Sequence, residues 1–224
     1  MIGASFGNYA SSGATSFSFG NALQFDGEDD YVVFAPIDVQ SNSTISFWFK
    51  SVKTDSGSFI GKLDSAAVSV RHTTLRNMRF ELNGYNDFTV PTMTLNQWHH
   101  VMFSLGATDM RCFVDGVESS SRAQPNRVGG IDILGIFRNV GYEFAFEGVM
   151  DELAITTSYA ADLRDAQSLY NSGNGAEATA ILGPLDLYYH LDETSPASVA
   201  VDSSSNGNDG GLNNFDTDTC WVEH

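Results

Sequence analysis

Between residues 44 and 50 the chain reads Thr-Ile-Ser-Phe-Trp-Phe-Lys. Successive strand side chains point to opposite faces, so Ile45, Phe47 and Phe49 share one side and Ser46, Trp48 and Lys50 the other. A helix would scatter those three apolar residues around its circumference. The segment therefore commits the chain to a sheet with one buried face, and such a sheet needs a second layer to cover it. Phe occurs 16 times in 224 residues, which supplies aromatic filling for the space between layers. At this length a two-sheet core is buried without help from disulfides or metals.

Shorter β-rich runs recur at 22–25, 31–34, 58–61, 67–71, 78–82, 99–105, 111–114, 131–137 and 144–155. Phe17 and Phe19 alternate with Ser16 and Ser18, so a further short strand is read there. Asp26-Gly27-Glu28-Asp29-Asp30, Asn83-Gly84 and Asp115-Gly116 are turn chemistry, and Pro36 is read as closing the second run. About a dozen strands at this spacing predict an all-β sandwich. One helix is expected near 160–171, where Leu163, Ala166 and Tyr170 share a face flanked by Leu169 and Gly173 stands as a C-cap. A second helical turn is read at 175–182. From residue 183 the texture changes to a strand-like 185–191 and an Asn/Asp/Ser/Gly-rich loop at 202–211. We divide the chain into a sandwich over 1–182 and a segment over 183–224.

The charge balance is 11 basic against 28 acidic residues, a formal net charge of −17. Nucleic acid is excluded as a partner, because phosphates must be neutralised by Lys and Arg. An anionic membrane surface is disfavoured on the same ground, and nothing approaches the roughly 18 consecutive apolar residues of a membrane helix. The first residues lack a basic n-region and an apolar h-region, so no Sec signal peptide is read there. Cys112 and Cys220 are too few for a disulfide framework and are read as free thiols.

Five motifs in order resemble the laminin-G-like domains of the concanavalin A-like lectin/glucanase superfamily. They are Ala22-Leu23-Gln24-Phe25-Asp26-Gly27, the 44–50 strand, Gln97-Trp98-His99-His100-Val101, Phe113-Val114-Asp115-Gly116, and Phe146-Glu147-Gly148-Val149-Met150-Asp151-Glu152-Leu153, followed by the helix. The resemblance implies a two-sheet antiparallel jelly roll. The stretch from Leu187 to Glu193 and the 201–210 loop also resemble this family, but there they precede the first motif. Two arrangements stay open: the segment closes the sandwich in its own chain, or it adds to a neighbour's sheet edge.

The resemblance implies a structural Ca²⁺ with Asp26 and Asp151 as ligands; otherwise Asp26 caps its own turn and Asp151 pins a strand. It also admits glycoside hydrolases, which need two carboxylates about 5–10 Å apart. The Glu-x-Asp-x-Glu run of related retaining enzymes is absent, and Asp151-Glu152, adjacent in a strand, are expected on opposite faces. The same parity makes His99 and His100 poor joint metal ligands, one packed and one solvated. Trp48 and Trp98, in signature strands, are read as core rather than platform. Sugar recognition needs exposed aromatic faces beside polar groups. The loops carrying Tyr85, Asn86, Asp87 and Phe88, and Arg138, Asn139 and Tyr142, are therefore the candidate ligand site.

The expected function is a non-catalytic binding or structural module. One setting is a particle surface, a phage decoration, tail or fibre protein, released by lysis without an export signal. It would partner other structural proteins, copies of itself or cell-surface glycans. The alternative is a secreted or cell-surface bacterial carbohydrate-binding module, which places the chain outside cells; a hydrolase is disfavoured.

Overall fold

The structure is a computed structural model that describes residues 18–54, 56–63, 65–74, 77–82, 85–123, 129–136 and 144–224. Its strands are β1 (Asn21–Asp26), β2 (Tyr31–Val39), β3 (Ser43–Ser51), β4 (Gly57–Lys62), β5 (Ser65–Thr74), β6 (Asn77–Leu82), β7 (Tyr85–Thr89), β8 (His99–Leu105), β9 (Asp109–Val114) and β10 (Val117–Ala123). They continue with β11 (Gly129–Leu134), β12 (Glu147–Thr156), β13 (Leu187–Tyr189), β14 (Val199–Ala200), β15 (Gly210–Asn213) and β16 (Trp221–Glu223). The first sheet runs β10-β9-β8-β3-β12-β1-β16, with β13 also on β12; the second runs β14-β15-β2-β11-β4-β5-β6-β7. The pairs are antiparallel, giving the two-layered jelly roll that alternation in 44–50 demanded.

Ile45, Phe47 and Phe49 do point inward, each at most 1% exposed. Phe59 from the opposite sheet lies 4.9 Å from Phe47, 4.6 Å from Phe49 and 5.0 Å from Phe146, ring centre to ring centre. Burying each such side chain stabilises the fold by roughly 1.5–3 kcal/mol. Residues 183–224 belong to both layers: β13 pairs with β12, β15 with β2, and β16 with β1. Leu187, Tyr189 and Leu191 enter the core, and Trp221 joins them while donating its indole N–H to Ala197 O at 2.8 Å. Both cysteines are buried free thiols.

Three local readings need correction. Pro36 does not close β2, which runs on to Val39. The ladder to β11 slips there, with Ile131 opposite Ile37 but Ile133 opposite Val33, so a residue without an N–H falls in an irregular stretch. The helix α1 (Leu163–Tyr170) starts at a capping box, the Asp162 side chain accepting Arg164 N and Asp165 N. It ends on Asn171 in the left-handed region at φ 46, before Gly173 is reached. Its buried residues are Ala166 and Leu169, whereas Leu163 is 38% exposed.

A second helix, α2 (Ala178–Leu182), packs beside α1. Together they cover one half of the first sheet's outer face, over Met102, Phe113, Ala154 and Tyr188. The other half of that face carries the site.

Candidate functional site

On the uncovered half, β1, β3, β12 and β16 turn Gln24, Lys50, Val149 and Val222 outward. With Asp26, Glu147 and Glu223 at the strand ends they line a groove of ≈ 530 Å³, within the range of about 300–1,000 Å³ usual for small-ligand sites. Lys53 pairs with Glu147 at 2.7 Å at its edge. Lys50 Nζ lies 4.9 Å from the centre of the Trp98 ring, which joins the groove to an aromatic cluster.

In that cluster the His224 imidazole lies between Phe19 and Trp98. Ring centres are 3.6 Å and 3.8 Å away, and the planes agree within 6° and 2°. Trp48 stands nearly perpendicular, its centre 6.2 Å from that of His224. His224 Nδ1 is 2.6 Å from Asp151 Oδ2, and Asp151 Oδ1 accepts the Glu152 N–H. Burial, reinforced by neighbouring Glu152, pushes the Asp151 carboxyl up to about 9. Burial, reinforced by Lys50, lowers the His224 imidazole to about 4. Both shifts favour neutral partners sharing one proton across the short bond.

Asp151 and Glu152 are not on opposite faces, contrary to the parity argument. Asp151 lies opposite Trp48 but Ala154 opposite Ser46, so two residues of β12 face the single Phe47. Glu152 takes φ 51 in this bulge. The bulge sits where β1 stops pairing with β12, at Met150, and β13 begins, at Leu153. Glu152 thereby reaches the outer side, where Tyr188 Oη donates to it at 2.5 Å and His190 Nδ1 lies at 3.1 Å. Burial raises the Glu152 carboxyl, and the bonds to His190 and Tyr188 oppose the rise.

Asp26 and Asp151 do not form one metal site. Asp26 pairs with Glu147, four residues along β12 from Asp151, a separation of about 13 Å along the strand. Calcium holds its oxygens at about 2.3–2.6 Å. Asp26 Oδ1 instead accepts Glu28 N at 2.7 Å and Asp29 N at 3.3 Å, closing its own turn. Among the described residues Asp26, Asp29 and Asp30 bring carboxylate oxygens within 4.8 Å of one another, an all-oxygen set of the kind calcium takes. Burial pushes the Asp30 carboxyl up to about 6, partly offset by the Asp26 N–H it accepts.

The expected ligand loops fare differently. Residues 85–88 lie in β7, an outer strand of the second sheet, and Phe88 is fully buried against Phe103 at 5.6 Å. Phe88 is a core residue, not an exposed platform, because its register opposite Met78 turns it inward. Arg138, Asn139 and Tyr142 lie outside the described residues, as does Gly3-Ala4-Ser5-Phe6-Gly7, a string with the spacing of a hydrolase nucleophile elbow. His100 is buried and bonds Ser46 Oγ through Nε2 at 2.8 Å; His99 bonds Asp115 at 2.7 Å and is not freely solvated. Trp98, read from its motif as core, is only half-buried and stands at the groove rim. No local signal marks His224 or Gln24. Their place follows from β16 lying beside β1.

The profile described as the concanavalin A-like lectin/glucanases superfamily matches residues 26–160. A Bacteroides ovatus protein provisionally designated carbohydrate-binding superposes with TM-score 0.66 at 18% identity, over 88% of this chain and 59% of that one. The chain thus spans about three fifths of that protein's length. Domain 4 of the GH43 extracellular arabinanase AbnA from Geobacillus stearothermophilus, solved with arabinotriose, gives TM-score 0.53 at 18% identity, over 72% and 80% of the two chains. The CBM40 of a Ruminococcus gnavus sialidase, bound to α2,3 sialyllactose, gives 0.52 at 12%, over 67% and 97%. At these identities the likeness is one of fold. No curated protein matches the sequence. Among the described residues no helix is long and apolar enough to cross a membrane.

Proposed function

This chain belongs to the concanavalin A-like lectin/glucanase superfamily, and from that premise we propose that it is a glycan-binding module whose ligand lies in the groove on the first sheet. The observation that carries the reading is the groove itself. It sets Gln24, Asp26, Lys50 and Glu223, which offer donors and acceptors to hydroxyls, beside the half-buried Trp98 ring. The solved neighbours, carbohydrate-binding domains in their own right, support the ligand class.

Binding without hydrolysis fits the placement of the acids. A hydrolase needs a carboxyl kept protonated beside the sugar. Asp151 and Glu152, which burial pushes that way, have side chains only 0% and 7% exposed and are held by His224, Tyr188 and His190. Glu147, in the groove, is paired with Lys53. A particle-surface setting rests on the sequence alone, since none of the neighbours named above is a virion protein.

The test is a glycan array followed by titration. Wild-type protein should retain at least one oligosaccharide; Lys50→Ala should weaken it about tenfold or more, the cost of roughly one charged hydrogen bond, and Gln24→Ala about threefold to tenfold, that of a neutral one, with melting unchanged. Undiminished binding by both variants refutes the groove. Release of reducing sugar refutes the non-catalytic part.

A further inference from the structure

The side chain of His224 is treated by the protein as a ligand would be. Two aromatic rings clasp it face to face, a third closes the end of the slot, and a buried carboxyl meets its edge nitrogen. Filling a gap in the packing does not need a hydrogen-bonding acid at that edge. We propose that Phe19, Trp98, Trp48 and Asp151 form a binding slot for a flat ring with a nitrogen on its edge, of the imidazole class, with His224 as its resident occupant.

The spacing selects the class. Centres 3.6 Å and 3.8 Å from the imidazole leave room for one planar, unsaturated layer. A puckered sugar ring or a tetrahedral ammonium is thicker and needs the walls moved apart. The Asp151 carboxyl, 2.6 Å from Nδ1, selects a ring nitrogen on the edge. Burial of both partners, with Lys50 beside the slot, favours a neutral ring over a cation. The slot shares Trp98 with the rim of the glycan groove, but it uses the ring face that His224 covers, so the proposal stands whether or not that groove binds sugar.

The resident lies outside the ladder that anchors its strand. Trp221 anchors β16 in the core, and the register with β1 spans Trp221 to Glu223. Residue 224 lies beyond it, held by its N–H to Gly20 O at 3.2 Å and by the Asp151 bond. A tethered occupant competes at an effective concentration in the millimolar range, so an external ligand must arrive at comparable strength. A free imidazole-class heterocycle offers that chemistry.

The experiment empties the slot in the full chain with His224→Ala and titrates imidazole, methylguanidinium, tetramethylammonium and methyl α-glucoside, reading the melting midpoint and tryptophan fluorescence. Imidazole, titrated at about pH 8 where most of it is neutral, should raise the variant's midpoint by about 3 °C or more at ten times its dissociation constant and should do nothing to wild type or to His224→Ala/Trp98→Ala. Rescue by imidazole and not by the two cations or the glucoside supports the slot. No rescue, or rescue by methylguanidinium, tetramethylammonium or the glucoside instead, overturns it. One further variant keeps the test decisive if His224→Ala does not fold: His224→Leu should melt below wild type. A leucine variant as stable as wild type reduces the site to packing and ends the proposal.

Discussion

Glu152→Ala tests the bulge and the buried network together. Glu152 accepts from Tyr188 Oη at 2.5 Å, and Tyr188 is 1% exposed. Removing the carboxylate leaves the Tyr188 hydroxyl proton without that acceptor in a site closed to water. A stranded buried donor costs about 1–3 kcal/mol, and a hydrogen bond to a charged acceptor is worth about 1.5–3 kcal/mol. The desolvated carboxylate gives part of this back when it is removed, since burial already raises it. The net expectation is a loss of about 2 kcal/mol, or roughly 4–8 °C in melting midpoint for a chain of this size. Two companions separate the causes. Glu152→Gly relaxes the φ of 51 and should be milder by about 1 kcal/mol. Adding Tyr188→Phe to Glu152→Ala removes the stranded donor and should recover about 1 kcal/mol. Urea titration of these four proteins and of the Tyr188→Phe single variant measures these differences. A Glu152→Ala variant within about 0.5 kcal/mol of wild type, or one that Tyr188→Phe worsens additively, refutes the reasoning.

Burial lowers the His100 imidazole to about 4, against the opposing charge of Asp115. The unfolded chain therefore takes up a proton that the folded state refuses. This contribution is complete above about pH 6.5 and is lost on acidification to pH 4, amounting to about 3 kcal/mol; urea titrations across that window should show a shallower acid slope in His100→Gln. A Cβ at Gly148 would meet the Lys50 carbonyl oxygen at 2.2 Å, with φ at +151. Gly148→Ala should therefore part β12 from β3, lower stability by about 3 kcal/mol and weaken glycan binding in the adjoining groove. Any calcium-dependent rise in melting midpoint should vanish in Asp29→Asn and survive in Asp151→Asn, because Asp151 stands about four strand residues from the acidic turn; scanning calorimetry with calcium and with chelator decides it.

The strands with one buried face were legible because their pattern has a single consistent solution. Ile45, Phe47 and Phe49 fit a core only in one register, and slipping it by one residue would turn Ser46 and Lys50 into the space between the sheets. Phe88 was misread because Asn83-Gly84 and Asn86-Asp87 carry turn residues on both sides of Tyr85. Pairing with β6 overrides that preference, since Phe88 opposite Met78 completes an apolar face. Asp151 and Glu152 were misplaced for a different reason. Parity holds only along an unbroken ladder, and Glu is not a residue that announces a left-handed backbone as Gly or Asn does.

The site itself is long-range, and this explains why local reading missed it. The groove takes Gln24 from β1, Lys50 from β3, Val149 from β12 and Val222 from β16; the slot takes Phe19, Trp98, Asp151 and His224. No two of the slot's residues are neighbours in the chain, and each alone has an ordinary role as a hydrophobe, a strand pin or an exposed polar group. What converts them into a site is the segment after residue 183. Its β13 leaves room at the junction with β1 for the bulge that turns Glu152 outward. Its β16 lies along β1, delivers Val222 and His224 to the same face and sets Glu223 at the groove's end. Family motifs ending before residue 183 could indicate the sandwich, but the groove and the slot are complete only when the displaced segment takes its place in both sheets.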